Sequence, residues 1–293
     1  MRSLLFVPGD SEKKLEKALA SGADVLIVDL EDSVAGARKD AARDIAEAFI
    51  KESRKKTSAK LYVRVNDFDS GMTDGDLAAV IGARPDGIML PKCAGSADVV
   101  RLAVKLRVNE AEAGLPDGST AILPIVTESA RALLAASTFN APLSRLTGVT
   151  WGAEDLSADI AVRQVRDDAG RYTDVFRFAR MSAILAASAA ETAAIDTVFI
   201  DFRNAAALAA ECAEAERDGF TCKMAIHPDQ VATINEAFTP SDEAIEESRA
   251  VVEAFAAAGN PGVVGIGGKM YDRPHLRRAE RLLARAKAAG FVA

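Results

Sequence analysis

Asp24-Val25-Leu26-Ile27-Val28-Asp29-Leu30-Glu31-Asp32 holds an uninterrupted apolar run, Val25–Val28, followed by three acids within four residues. A continuous β-branched and leucine run, rather than an alternating one, is the pattern of a strand buried on both faces, as in a parallel sheet. The same pattern recurs along the chain. Leu4–Val7, Asp24–Asp29, Leu61–Val65, Gly87–Leu90, Ala121–Val126, Gly148–Trp151, Thr197–Asp201 and Met224–Ile226 read as strands. Between them lie amphipathic, alanine-rich stretches that read as helices: Ser11–Ser21, Ala37–Lys51, Asp74–Ala83, Ala97–Ala113, Ser129–Ser137, Thr173–Glu191, Ala205–Asp218 and Gln230–Phe238. Parallel strands need such crossovers. Eight βα units in about 240 residues match the size of a (β/α)₈ TIM barrel. An open doubly wound sheet is the alternative, because periodicity does not say whether the sheet closes.

The polar residues cluster where the apolar runs end. The first run is followed by Pro8-Gly9-Asp10, the second by Glu31-Asp32, and the third by Arg64-Val65-Asn66-Asp67. The fourth leads to Pro91-Lys92, the fifth to Thr127-Glu128, and the sixth to Trp151-Gly152-Ala153-Glu154-Asp155. The last two lead to Asp201-Phe202-Arg203 and His227-Pro228. In a barrel these ends open on one face, where barrel enzymes keep their active sites. Any one of these carboxylates taken singly is as readily a helix cap or an ion-pair partner. Acids at so many endings exceed what capping requires, which points to a site at the carboxyl mouth.

After Phe238 the texture changes. Thr239-Pro240-Ser241-Asp242-Glu243 opens a helix that runs to about Ala258, the run Val263–Asp272 follows, and a basic helix begins at Pro274. The chain therefore divides into a barrel at 1–238 and a C-terminal helical extension at 239–293, which is a structural cap, an oligomerisation arm or a lid. Gly267-Gly268 marks a bend within it.

Composition narrows the function. A net charge of −7 argues against general nucleic-acid binding. Three cysteines without a CxxC pair, and two histidines, leave no thiolate or imidazole zinc set. No apolar run is long enough for a membrane span, and the apolar run at the start is too short for a signal peptide, so a cytoplasmic protein is expected. Carboxylate oxygens suit a hard cation, Mg²⁺ with Mn²⁺ as a substitute. Arg64 at the same mouth can grip a substrate carboxylate bidentately. Metal and arginine together make a holder for a 2-oxo or 2-hydroxy acid, where a Lewis acid stabilises charge on oxygen. Lys92 as a Schiff-base nucleophile is the competing chemistry; an ion-pair partner among carboxylates is the commoner role. His227 reads as a structural hydrogen-bonding residue.

Arg2-Ser3-Leu4-Leu5-Phe6-Val7-Pro8-Gly9, Asp29-Leu30-Glu31-Asp32-Ser33-Val34, Arg64-Val65-Asn66, Leu90-Pro91-Lys92, Gly152-Ala153-Glu154-Asp155-Leu156, Ala225-Ile226-His227-Pro228 and Gly268-Lys269-Met270-Tyr271-Asp272 occur in this order. Together they resemble the citrate lyase beta subunit-like proteins, which include malyl-CoA and citramalyl-CoA lyases. The resemblance implies a (β/α)₈ barrel with a C-terminal extension, assembled as homotrimers or hexamers. It also implies reversible cleavage of a 3-hydroxyacyl-CoA thioester to acetyl-CoA and an oxoacid. On that resemblance Glu128 and Asp155 bind Mg²⁺, Glu31 and Asp32 hold metal-bound waters, and Arg64 with the amides of Gly152 and Ala153 binds the oxoacid. Asp272 is the implied acid/base, delivered by the extension into a neighbouring subunit's site. Lys13, Lys14, Lys17 and Arg38 flank the first two strand ends and are candidates for the CoA phosphates. Two other readings remain open: an aldolase acting on free hydroxy-oxo acids without CoA, and a subunit that works only with an acyl carrier protein.

Overall fold

The computed structural model describes residues 1–291 of the 293-residue chain. Eight strands run in parallel: β1 (Ser3–Pro8), β2 (Val25–Asp29), β3 (Lys60–Arg64), β4 (Gly87–Leu90), β5 (Ala121–Pro124), β6 (Gly148–Thr150), β7 (Ala193–Asp196) and β8 (Cys222–Ala225). Their order in the sheet is β5-β4-β3-β2-β1-β8-β7-β6. The outer strands β5 and β6 meet through bridges between Ile122 and Leu146 and between Ile125 and Thr150. Those contacts nearly close the sheet into a barrel, which decides against the open doubly wound alternative.

Nine helices lie along this part of the chain: α1 (Glu12–Ala18), α2 (Lys39–Ser53), α3 (Thr73–Val80), α4 (Ser96–Glu112), α5 (Ala130–Ala135), α6 (Glu154–Asp159), α7 (Asp174–Ala189), α8 (Ala205–Asp218) and α9 (Val231–Phe238). In α2 the buried positions are Ala42, Ala46, Phe49, Ile50 and Ser53, a stripe at helical spacing that faces the sheet. Covered outside by helices, β2 and β4 are buried along their whole length. The interior is filled as well. The Tyr62 hydroxyl reaches from β3 to Thr147 Oγ1, 3.1 Å away beside β6.

One strand departs from the sequence reading. The run Thr197–Asp201 is not the seventh strand; β7 is Ala193–Asp196, immediately before it. Ala194 pairs with Val149, and Asp196 pairs with Lys223 of β8. The polar ending of the seventh strand is therefore Asp196-Thr197, and Asp201-Phe202-Arg203 belongs to the following loop.

Two compact units are present, Arg2–Asn235 and a second built from Glu236 onward. The second contains α10 (Asp242–Ala257), an antiparallel hairpin of β9 (Val263–Ile266) and β10 (Lys269–Asp272), and α11 (Arg273–Ala288). Its core is Val251, Phe255, Val264, Leu276 and Ala279. The bend expected at Gly267-Gly268 is the two-residue turn of this hairpin. Both glycines have positive φ, 55° and 78°, which a tight hairpin turn demands and side-chain-bearing residues resist. Among the described residues no helix is long and apolar enough to cross a membrane.

Candidate active site

Strand register sets the first contact at the mouth. Asp29 and Arg64 end β2 and β3 opposite one another. Arg64 donates from Nε to Asp29 Oδ1 and from Nη2 to Asp29 Oδ2, both at 2.7 Å. The bidentate fork assigned to a substrate carboxylate is thus held by Asp29, and Nη1 with the second N–H of Nη2 remains. Burial works to raise the Asp29 carboxyl, but Arg64 overrules it and holds the group below the usual carboxylate range. Asp29 also accepts from the amides of Glu31, at 2.9 Å, and Ser33, at 3.1 Å, and so shapes the loop that carries the next two acids. The sequence alone assigns Asp29 no role; its register position opposite Arg64 is the signal that reveals one.

Glu31 is buried, and its Oε1 accepts from the Lys92 ammonium. Its Oε2 lies 2.9 Å from Arg64 Nη1, but the angle does not make a hydrogen bond, leaving that oxygen without a donor. Burial pushes the Glu31 carboxyl upward against the pull of Arg64 and Lys92. The Lys92 ammonium lies 3.7 Å from both Asp32 and Asp155. Burial opposes the charge on Lys92, but these carboxylates raise its pKa. This geometry makes Lys92 an ion-pair partner.

Glu128 follows β5 with its carboxylate buried. The helix cap there is its neighbour, since Ser129 Oγ accepts from the Ala132 amide at 3.1 Å. The Glu128 carboxylate instead accepts from the backbone N–H of Lys92. Burial, with the charges of Asp155 and Glu31, pushes the Glu128 carboxyl up to about 8. Gly152 makes room for it, because a Cβ there would sit 2.8 Å from Glu128 Cγ. Asp155 lies in the first turn of α6, where the helix dipole favours an acid, and is part-exposed.

The first unit thus gathers Arg64, Glu31, Asp32, Glu128 and Asp155 around Lys92, with Gly152 and Ala153 alongside. Among the described residues no three His, Cys, Asp or Glu side chains form a ready ligand cluster. Lys13 and Lys17 are exposed on α1, while Arg38 is partnered with Asp10. In the second unit Asp272 caps α11 and hydrogen-bonds His275 Nδ1, which holds its carboxyl low. His227 accepts from the Asp229 amide and stacks on Phe202.

A nearly closed parallel barrel with an acidic, arginine-bearing carboxyl mouth has the form of an α/β-barrel enzyme. The chain belongs to the HpcH/HpaI aldolase/citrate lyase family, whose model matches residues 2–228. It is 34% identical to the citrate lyase subunit beta of Escherichia coli K12, over 99% of this chain and 94% of that protein. It is 33% identical to the (3S)-malyl-CoA thioesterase of Cereibacter sphaeroides, over 98% and 95% respectively. Among solved structures it resembles CitE of Mycobacterium tuberculosis in complex with magnesium, acetoacetate and coenzyme A. There the TM-score is 0.74 at 32% identity, with 98% of each chain covered.

Proposed function

We propose that this protein is a Mg²⁺-dependent carbon–carbon lyase that cleaves a 3-hydroxyacyl-CoA to acetyl-CoA and an oxoacid. The observation that carries the reading is the charge imbalance at the mouth. Five carboxyl groups (Asp29, Glu31, Asp32, Glu128 and Asp155) face two cations, Arg64 and Lys92. The Glu31 Oε2 that accepts no hydrogen bond, and the buried Glu128 carboxyl pushed up to about 8 among other acids, fit a place for a cation. All the donors are hard oxygens, which fits Mg²⁺ and excludes a zinc-type set. Glu128 and Asp155 would hold the ion, with Glu31 and Asp32 on its waters. Two protein carboxylates, with the remaining positions left to water and substrate, are a common Mg²⁺ arrangement. When bound, the ion would stabilise negative charge developing on the substrate oxygens.

The chain's own residues account for the rest of the reaction. Arg64, braced by Asp29, presents Nη1 and the second N–H of Nη2 to the oxoacid carboxylate, and the amides of Gly152 and Ala153 hold its other side. Cleavage passes the proton of the C3 hydroxyl to a mouth carboxylate, for which Glu31, whose Oε2 accepts no hydrogen bond, is the proposed acceptor; it breaks the C2–C3 bond and moves its electron pair into the thioester as an enolate. A proton delivered to C2 completes acetyl-CoA. We assign that delivery to the protonated Asp272 carboxyl, whose hydrogen-bond partner is His275 Nδ1. In condensation the ionised Asp272 takes the proton back.

An exposed apolar stripe on α7 (Val175, Phe178, Met181 and Leu185) supports assembly as a homo-oligomer, a trimer or hexamer in which the extension serves a neighbouring copy. Lys13 and Lys17 are the proposed contacts for the CoA phosphates. Similarity to a protein described as a subunit supports a variant reading in which an acyl carrier protein presents the substrate.

The test incubates the purified protein with citryl-, malyl- and citramalyl-CoA in Mg²⁺ and assays both acetyl-CoA and free CoA. Acetyl-CoA should accumulate with one of them, vanish on chelation and return with Mg²⁺. Full activity after exhaustive chelation, or release of free CoA without acetyl-CoA, would sink the proposal. Turnover only of a carrier-bound acyl group selects the subunit reading.

A further inference from the structure

Lys39 opens α2, the end of a helix at which a cation is disfavoured by the dipole. Its position is explained by what its ammonium touches. Nζ donates to the carbonyl oxygens of Leu30 and Glu31 and to Asn66 Oδ1, each at 2.7 Å. An ammonium has three N–H donors, and all three are used. Two of the acceptors belong to the backbone of the segment that carries Glu31 and Asp32.

The third acceptor is itself fixed. Asn66 Nδ2 donates to Leu30 O at 3.0 Å and to Asp76 Oδ2 at 2.7 Å. Asp76 is fully buried and is held by Arg43 Nε at 2.8 Å. A polar chain thus runs from α2 through α3 and the end of β3 to the β2 loop. From the other side, Asp29 binds the amides of Glu31 and Ser33. The loop is gripped by its carbonyls from Lys39 and by its N–H groups from Asp29.

We propose that Lys39 is a positioning residue for the cation site: it fixes the Leu30–Glu31 backbone so that the Glu31 and Asp32 carboxylates face the mouth. The inference rests on reading the mouth as a Mg²⁺ site. Lys39 itself is spent on neutral oxygens and touches neither substrate nor metal. Partners that orient metal-holding groups typically change metal affinity 10–100-fold when removed.

The experiment compares the wild type with Lys39→Met, which keeps the length and apolar stem of the side chain without its donors. Hydrogen–deuterium exchange without metal should show the Glu31, Ser33 and Val34 amides exchanging at least about tenfold faster in the variant, with the other strand ends unchanged. Calorimetric Mg²⁺ binding should weaken about 10–100-fold, with KM for the CoA ester within about threefold and the melting temperature within a few degrees. A wild type that binds no Mg²⁺ overturns the metal reading itself. A wild type that binds it while Lys39→Met binds equally well overturns the positioning role alone. A lower melting temperature with unchanged Mg²⁺ affinity and loop exchange would make Lys39 merely structural, and also overturns the role.

Discussion

Replacing Lys223 by Met should destabilise the barrel more than any surface change, and the magnitude follows from its partners. The ammonium is wholly buried between Asp196, at 2.7 Å, and Glu211, at 2.9 Å. Breaking a buried ion pair by deleting one partner costs about 3–5 kcal/mol, because the remaining charge is left uncompensated. Here two carboxylates would be orphaned, but both keep other donors. Trp151 Nε1 donates to Asp196 at 2.8 Å, and Arg166 lies 2.6 Å from Glu211. Those contacts place the loss near the lower end, about 3 kcal/mol, or roughly 6–12 °C in melting temperature for a unit the size of Arg2–Asn235. The sign with pH is fixed. Burial works against the charge on Lys223, but Asp196 and Glu211 raise its pKa above the unfolded value. Its contribution is therefore fully present below about pH 10.5 and is lost as pH rises through the higher folded value. The assay is thermal and denaturant unfolding of wild type, Lys223→Met and Lys223→Met/Asp196→Asn at pH 7 and pH 9. The double variant, with one orphaned charge removed, should recover at least about 1 kcal/mol over the single one. A single variant melting within 2 °C of wild type (roughly 0.5–1 kcal/mol by the same scaling), or a double variant less stable than the single, refutes the reasoning.

Three other outcomes are expected. Glu110 accepts from Arg145 at 2.7 and 2.8 Å and from the Thr120 amide at 2.8 Å. These bonds outweigh its burial and hold its carboxyl at about 2. Its contribution is present above the unfolded carboxyl value and lost as pH falls through about 2, so Glu110→Gln should be less stable than wild type at pH 7 and converge with it in acid. Gly152→Ala should cost about 1–3 kcal/mol of stability from the clash with Glu128 and lower lyase activity more than tenfold, as measured by unfolding and acetyl-CoA release. Arg64→Lys keeps the charge but loses the bidentate bond to Asp29; kcat/KM should fall at least about 100-fold, equivalent to about 3 kcal/mol, while wild-type kinetics would discard Arg64 as a substrate holder.

The strand series was legible because strands buried on both faces are written as continuous apolar runs, and seven of the eight fall on such runs. The seventh hid itself. Ala193-Ala194-Ile195-Asp196 has low strand propensity and follows an alanine-rich helix, while Thr197-Val198-Phe199-Ile200 just after it carries the β-branched signature. Pairing with Val149 and with β8, a non-local contact, decides the register. At the mouth, the residue types at the strand ends were legible from spacing. Their mutual occupancy was not. That Asp29 takes the Arg64 fork, that Ser129 rather than Glu128 caps α5, and that Gly152 yields space to Glu128 all depend on neighbouring strands that sequence distance keeps apart.

Lys92 adopts a left-handed backbone, φ 49°, where a side chain is unfavourable by about 1 kcal/mol or more. That twist turns its N–H toward Glu128 while its ammonium reaches Glu31. One residue between them therefore ties the carboxylates after β2 and after β5, so the two loops are coupled in series through a single pivot. Displacing Lys92 as a whole would release both anchors at once rather than in turn. Mutations at Glu31 and Glu128 should then be strongly non-additive, and the mouth would open or tighten as one mechanical unit.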